Sequence, residues 1–198
     1  MIKKISVFCG SSYGKDIIYT EKAKELAKLF SEHSFSMVYG GANIGLMEIM
    51  ANTLLSKGGE VIGIMPEFLI EKEIAHQSIT KLIHVDTMHE RKELMAKESD
   101  AFIALPGGYG TMDEIMEMIC MGQLQFHQKP CAFLNTKGFY NHLEDFFNNA
   151  VREGFICPEY KEMLIIESEP KLLIEKIIHY SHPVVDKAKR AIEQKNKE

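Results

Sequence analysis

Short apolar runs alternate along this chain with longer stretches whose apolar residues recur every three or four positions, and glycine, proline or asparagine marks most of the changes. Runs of the first kind predict strands at 2–8, 36–39, 60–65, 82–85, 101–105, 131–134 and 164–166. Those of the second kind predict helices at 17–33, 46–57, 89–98, 112–126 and 139–153, and a last one from Ser168 and Pro170 to about Tyr180. In the first helix Ala23, Leu26, Ala27 and Phe30 share one face behind an Asp16 cap; in the fifth, Leu143, Phe146, Phe147 and Ala150 are expected to face inward. Residues 68–80 show no clear period. Beyond Pro183 the chain is rich in Lys and Glu with little to bury, so the division expected is a single domain over 1–182 and a charged tail over 183–198.

Strands that alternate with helices imply a parallel sheet covered on both faces, an α/β, Rossmann-like, doubly wound arrangement. The run AFIAL at 101–105 is apolar throughout, as a strand buried on both sides should be. In such a sheet ligands sit beyond the carboxyl ends of the strands, where the winding reverses. That rule brings three loops of small residues to one edge: 9–14, 40–45 and 106–111.

The third loop carries the strongest signal. After its strand comes PGGYGTMDE, in which Gly107, Gly108 and Gly110 let a backbone approach a ligand closely and Thr111 is the expected N-cap of the following helix. Unpaired N–H groups and the helix dipole then converge on one spot, which makes it the place to look for a phosphate. A plainer reading makes Thr111 and Glu114 a capping box, with Glu114 reaching back to the Thr111 amide. Neither of the other loops is a dinucleotide fingerprint. Residues 40–45 have the outer glycine spacing of a P-loop but lack its Lys and Ser or Thr, so neither NAD nor an NTPase site is supported.

Composition narrows the classes. A net charge of -5 argues against nucleic acid as a principal partner. The four cysteines, Cys9, Cys120, Cys131 and Cys157, are widely spaced, and the histidines lack ligand spacing, so reduced thiols and no metal site are expected. With neither a signal-type leader nor a membrane-spanning run, the expectation is a soluble, cytoplasmic protein.

Taken together, PGGYGTMDE, the upstream GGANIGLM at 40–47 and the intervening MHERK at 88–92 resemble the Lonely Guy family of cytokinin riboside 5′-monophosphate phosphoribohydrolases, often mislabelled lysine decarboxylases. The resemblance runs from Ile5 to about Phe155. It implies hydrolysis of the N-glycosidic bond of AMP or an N6-substituted relative, without a cofactor, by at least a homodimer. It also implies roles: Arg91 and Glu114 as the catalytic pair, and Gly107, Gly108, Tyr109, Gly110 and Thr111 around the substrate phosphate. Gly41 and Ser11 are expected from the other two loops, and Glu73 and Lys92 would be further substrate contacts. Cys120, which stands where plant members have Thr, would be another substrate contact. Two other readings stay open: a module of the same fold that holds a nucleotide or phosphorylated cofactor without cutting it, and a pyridoxal-phosphate decarboxylase, for which Lys92 is the nearby candidate lysine.

Overall fold

In the computed structural model, which describes residues 1–70 and 75–183, seven short strands lie side by side and all pair in parallel. They are β1 (Lys4–Phe8), β2 (Ser36–Tyr39), β3 (Val61–Pro66), β4 (Lys81–Val85), β5 (Ala101–Ala104), β6 (Cys131–Leu134) and β7 (Leu164–Glu167). Their order across the sheet is β4-β3-β2-β1-β5-β6-β7. The chain therefore steps outward from β1 to one edge, returns beside β1 as β5, and steps outward to the other edge. The reversal falls between β1 and β5, where Ile5 aligns with Ala101 and Phe8 with Ala104.

Helices α1 (Ile17–Glu32), α2 (Gly45–Leu55), α3 (Glu67–Ile70), α4 (Met88–Glu98), α5 (Tyr109–Gln123), α6 (Asn141–Arg152), α7 (Pro158–Lys161) and α8 (Pro170–Ile178) connect the strands, with a 3-10 turn at Thr136–Gly138. Strand residues alternate between two cores, as the pleat requires. Ile5, Val7, Met37, Tyr39 and Ile103 pack with Leu26, Phe30, Met50 and Leu173 of α1, α2 and α8. Phe8, Val38, Ile64, Phe102 and Phe133 pack with Met95, Ile115, Met118 and Phe147 of α4, α5 and α6. Burial on both faces explains why β5 shows no polar alternation.

The predicted strands are found with ends shifted by a residue or two, and Asp16 caps α1 by accepting from the Ile18 amide at 3.1 Å. Some expectations fail. Thr111 is not an N-cap: α5 starts earlier, at Tyr109, with Gly108 in the cap position and no side chain bonded to the first amides. The glycines allow the backbone to turn into the helix sooner than a threonine cap would, and Thr111 ends up buried inside the first turn. The same helix stops at Gln123 rather than 126, because Gln125 takes a left-handed φ of 65°. Phe146 is 60% exposed; the inward stripe of α6 narrows to Phe147 and Ala150, with Leu143 half-buried. Ser168 does not cap α8, whose N-cap position belongs to Glu169 without a side-chain bond. The short α7, opened by Pro158, has too few residues to show a period.

Two tight contacts tie the loops at the reversal together. The Gly10 amide donates to the Pro106 carbonyl at 3.1 Å, and the Leu46 amide donates to the Gly10 carbonyl at 3.1 Å. Gly45, with φ 59°, begins α2 so close to the backbone of Ser11 and Ser12 that a Cβ there would overlap it.

Candidate active site

The first two loops and the start of α5 meet at a cleft of about 420 Å³ on the α4 and α5 side of the sheet. Gly10 and Ser11 reach it from the first loop, Gly40 from the second, and residues 108–111 from the third. Behind the ridge formed by Gly10 and Gly108 lies a second recess of about 320 Å³, edged by Tyr13, Tyr19, Leu46 and Phe139.

Arg91 and Glu114 meet at the floor of the cleft. Thr87 caps α4 by accepting from the Glu90 amide at 3.1 Å, while Glu90 accepts from the Asp86 amide at 2.8 Å; this reciprocal cap fixes the first turn that carries Arg91. From that turn Arg91 Nη2 donates to Glu114 Oε1 at 2.8 Å, and each residue is only 9% exposed. Glu114 lies one turn into α5 and bonds across to Arg91 of α4. The guanidinium has room because position 40 is glycine: a Cβ there would overlap Arg91 Nη2. Arg91 Nη1 leans on the Met88 thioether at 3.7 Å, a weak acceptor. The buried Arg91 Nε has no partner among the described residues. Buried N–H groups are nearly always paired in folded proteins, so this donor is open to a water or a ligand oxygen.

At the other end of the cleft the first amides of α5 face out with no side-chain cap. Two glycines there differ from their neighbour in a telling way. A Cβ on Gly107 would overlap Thr111 Oγ1 and lie 2.9 Å from the Gly10 amide nitrogen, so the fold itself requires that glycine. A Cβ on Gly108 or Gly110 meets nothing within 4 Å. Packing does not demand glycine at those two positions, and their backbone lies open to close approach. Tyr109 between them is 98% exposed at the mouth.

Not every expected residue reaches the cleft. Lys92 turns to the surface of α5, where it pairs with Asp113 at 3.2 Å and with Glu117, and these partners raise its pKa. Gly41 sits against Leu82 and Met65, its carbonyl accepting from the His76 amide at 2.9 Å. Cys120 is exposed farther along α5 and edges a separate small apolar cavity with Ile156 and Met163. Glu73 lies outside the described residues. Conversely, Cys9, Gly40, Met47, Leu69, Met88 and Asp113 line the cleft without having been singled out as site residues. For Met88 a signal existed, its helical i,i+3 spacing from Arg91; for Leu69 there was none. Burial, together with the nearby Glu114 carboxylate, pushes the Cys9 thiol pKa up, which keeps that thiol protonated. Among the described residues no group of His, Cys, Asp and Glu has the arrangement of a metal site, and no helix is long and apolar enough to cross a membrane.

Comparison with known proteins gives both sequence relatives and structural neighbours. The family model described as "Possible lysine decarboxylase" matches residues 47–177. A probable cytokinin riboside 5′-monophosphate phosphoribohydrolase of Oryza sativa subsp. japonica is 44% identical over 195 residues, covering 97% of this chain and 80% of that protein. A cytokinin riboside 5′-monophosphate phosphoribohydrolase of Arabidopsis thaliana is 41% identical over 196 residues, covering 98% and 86%. Among solved structures, the molybdenum cofactor binding protein of Rippkaea orientalis superposes with a TM-score of 0.65 at 22% identity, over 90% of this chain and 96% of that one. The molybdenum cofactor carrier protein of Chlamydomonas reinhardtii gives 0.67 at 18% identity, over 91% and 100%. The structural likenesses establish the shared α/β fold. The sequence matches go further, and by them the chain belongs to the Lonely Guy family of cytokinin riboside 5′-monophosphate phosphoribohydrolases.

Proposed function

We propose that this protein hydrolyses the N-glycosidic bond of an adenosine 5′-monophosphate-type nucleotide, AMP or an N6-substituted cytokinin form, releasing free base and ribose 5-phosphate. The observation that carries the reading is a buried Arg91–Glu114 pair at 2.8 Å in the same cleft as an uncapped helix N-terminus. The amides of residues 108–111 take the phosphate, and the ribose then extends toward Glu114. Cleaving the bond from C1′ to a purine nitrogen passes through an oxocarbenium-like state, positive at the sugar. The Glu114 carboxylate stabilises that charge and accepts a proton from the attacking water, while the base departs with the bonding electron pair and takes a proton from solvent at its nitrogen. Arg91 holds Glu114 through Nη2 and offers Nε to a substrate oxygen. The scheme calls for no cofactor.

Pure binding has no use for a carboxylate buried beside an anion pocket, so the pair favours hydrolysis over a carrier role. A decarboxylase built on Lys92 would need a neutral amine, whereas Asp113 and Glu117 hold that side chain as an ammonium. We also propose a cytoplasmic homodimer or larger assembly. Leu124, Phe126 and Phe155 are 58%, 75% and 87% exposed, which gives the surface apolar area to cover; light scattering at twice 22.5 kDa or more is the expected result, and a monomer mass contradicts it. The catalytic proposal is tested by incubating the protein with AMP, N6-isopentenyl-AMP and the matched nucleosides and identifying the products. Free base and ribose 5-phosphate from the nucleotides, with little from the nucleosides, is expected; intact nucleotides after long incubation overturn it.

A further inference from the structure

Gly41 stays out of the cleft, and its carbonyl meets a residue that the hydrolase scheme leaves unused, His76. Residues 75–80 run back across the second glycine loop before β4 begins. Ala75 pairs with Ala42 in an antiparallel bridge, and the His76 amide donates to the Gly41 carbonyl at 2.9 Å. Ala42, Ala75 and Met65 close a small core at the crossing. At its far end Thr80 Oγ1 accepts from the Val61 amide of β3 at 3.0 Å. The fit leaves little slack: a Cβ on Gly63 of β3 would overlap both the Gly41 Cα and the tip of Ile79.

The His76 side chain, buried like the bridge beside it, fastens this crossing to α2. Its Nδ1 accepts from the Ser78 amide at 3.2 Å, so in the neutral ring the proton sits on Nε2, which donates to Asn52 Oδ1 at 3.0 Å. Burial lowers the His76 pKa and so favours the neutral form that this geometry needs. One ring thereby joins the crossing segment to the helix into which the second glycine loop leads. That loop also reaches the cleft: Arg91 Nη2 lies on Gly40, so close that a Cβ there would overlap it. A shift of the loop is therefore felt by the guanidinium directly. We infer that His76 is a positioning residue, which through Asn52 and the crossing segment fixes the second glycine loop as the seat for Arg91 and so aligns the Arg91–Glu114 bond; the inference rests on the hydrolase reading above.

The test measures kcat/KM for AMP in the wild type, His76→Ala, His76→Asn and His76→Gln, each well below its melting temperature. Glutamine places an amide N–H where Nε2 stands and keeps the bond to Asn52; asparagine replaces only Nδ1, the local acceptor for the Ser78 amide. A misplacement of about 1 Å in an active site can cost about 10²-fold, so His76→Ala and His76→Asn should lose about tenfold or more, and His76→Gln should recover most of it. Asn52→Ala, which removes the same bond from the other side, should match His76→Asn. Coupling to Arg91 separates positioning from a general loss of packing. Lysine has no counterpart of Nη2, so adding His76→Ala to Arg91→Lys should cost much less than it does in the wild type; an equal loss in both backgrounds overturns the inference. Hydrogen exchange at the amides of residues 40–46 gives an answer that does not depend on turnover. Exchange should quicken in His76→Ala and stay near wild type in His76→Gln, and equal protection in all variants overturns the inference while leaving hydrolysis intact. Should the wild type release no base from AMP or N6-isopentenyl-AMP, the hydrolase reading itself falls, and the exchange result stands apart from it.

Discussion

Removing the Glu114 carboxylate in two different ways separates what the Arg91 pair does for stability from what it does for catalysis. Both side chains are about nine-tenths buried, and their contact is a direct 2.8 Å bond. For unit charges about 4 Å apart at an effective dielectric of about 20, the attraction is roughly 4 kcal/mol. Much of that is offset by the cost of desolvating both ions, but removing one partner strands the other, which typically costs about 3–5 kcal/mol. Glu114→Ala should therefore lower the melting temperature by about 6–20 °C, given about 2–4 °C per kcal/mol for a chain of this size. Glu114→Gln leaves the guanidinium without its counter-charge but keeps an oxygen for Arg91 Nη2, so its melting point should fall by less than that of Glu114→Ala. The two variants should look alike in the other assay. Losing a general base alone costs about 10²–10⁴ in rate, and both should lose at least that much in release of free base from AMP, followed by chromatography. Dissociation constants for AMP measured with Glu114→Gln should stay close to those of the wild type measured before turnover. A Glu114→Gln protein with wild-type rates, or a Glu114→Ala protein with an unchanged melting point, would refute the reasoning.

Three further outcomes follow from the same geometry. Gly110→Ala should leave the melting point unchanged or slightly raised, since the new methyl meets nothing and alanine favours a helix, while Gly108→Ala at the N-cap should lower it slightly and Gly107→Ala by more; Gly108→Ala and Gly110→Ala should both raise KM for AMP at least tenfold, and an unchanged KM in both would remove the phosphate argument. In native protein near pH 8 a disulfide reagent should label Cys120 well before Cys9 or Cys131, which are buried with raised pKa values, and Cys120→Ser should retain activity because that residue does not line the cleft; peptide mapping and the product assay decide. His76 and His127 are held neutral by burial, each with Nδ1 accepting a backbone amide, so their folded pKa values lie below the ordinary 6.5. Their stabilising effect is complete above about pH 6.5 and is lost as pH falls toward the depressed folded values, because the unfolded chain takes up those protons first. Melting curves at pH 7.5 and 5.5 should show this loss, and His127→Gln should reduce it.

Where periodicity and loop chemistry agreed, the fold was legible in the sequence: the unbroken apolar run of β5, the alternating face of α1 and the Asp16 cap all appear as read. The start of α5 was misread because Thr111 is a good cap by propensity. Propensity lost to the glycines before it, which leave the amides bare and push the threonine against Gly107. Phe146 was misassigned because a helix on the edge of a sheet buries a narrower stripe than its hydrophobic pattern suggests. At the cleft, Arg91 and Glu114 were found through motif resemblance, and the local spacing by itself allowed a capping box for Glu114. Their bond joins residues 23 positions apart on different helices, which no local pattern encodes. Gly40 escaped for a similar reason, since its meaning depends on Arg91 lying against it.

The central claim is that main-chain amides at the head of α5 grip the phosphate and so present the ribose to Glu114. A crystal structure of the Glu114→Gln protein soaked with AMP tests it most directly. The account predicts phosphate oxygens on the amides of residues 108–111, the ribose facing residue 114, and Arg91 Nε bonded to the ligand. A nucleotide seated in the recess behind Gly10, or one whose base rather than phosphate meets those amides, would contradict it.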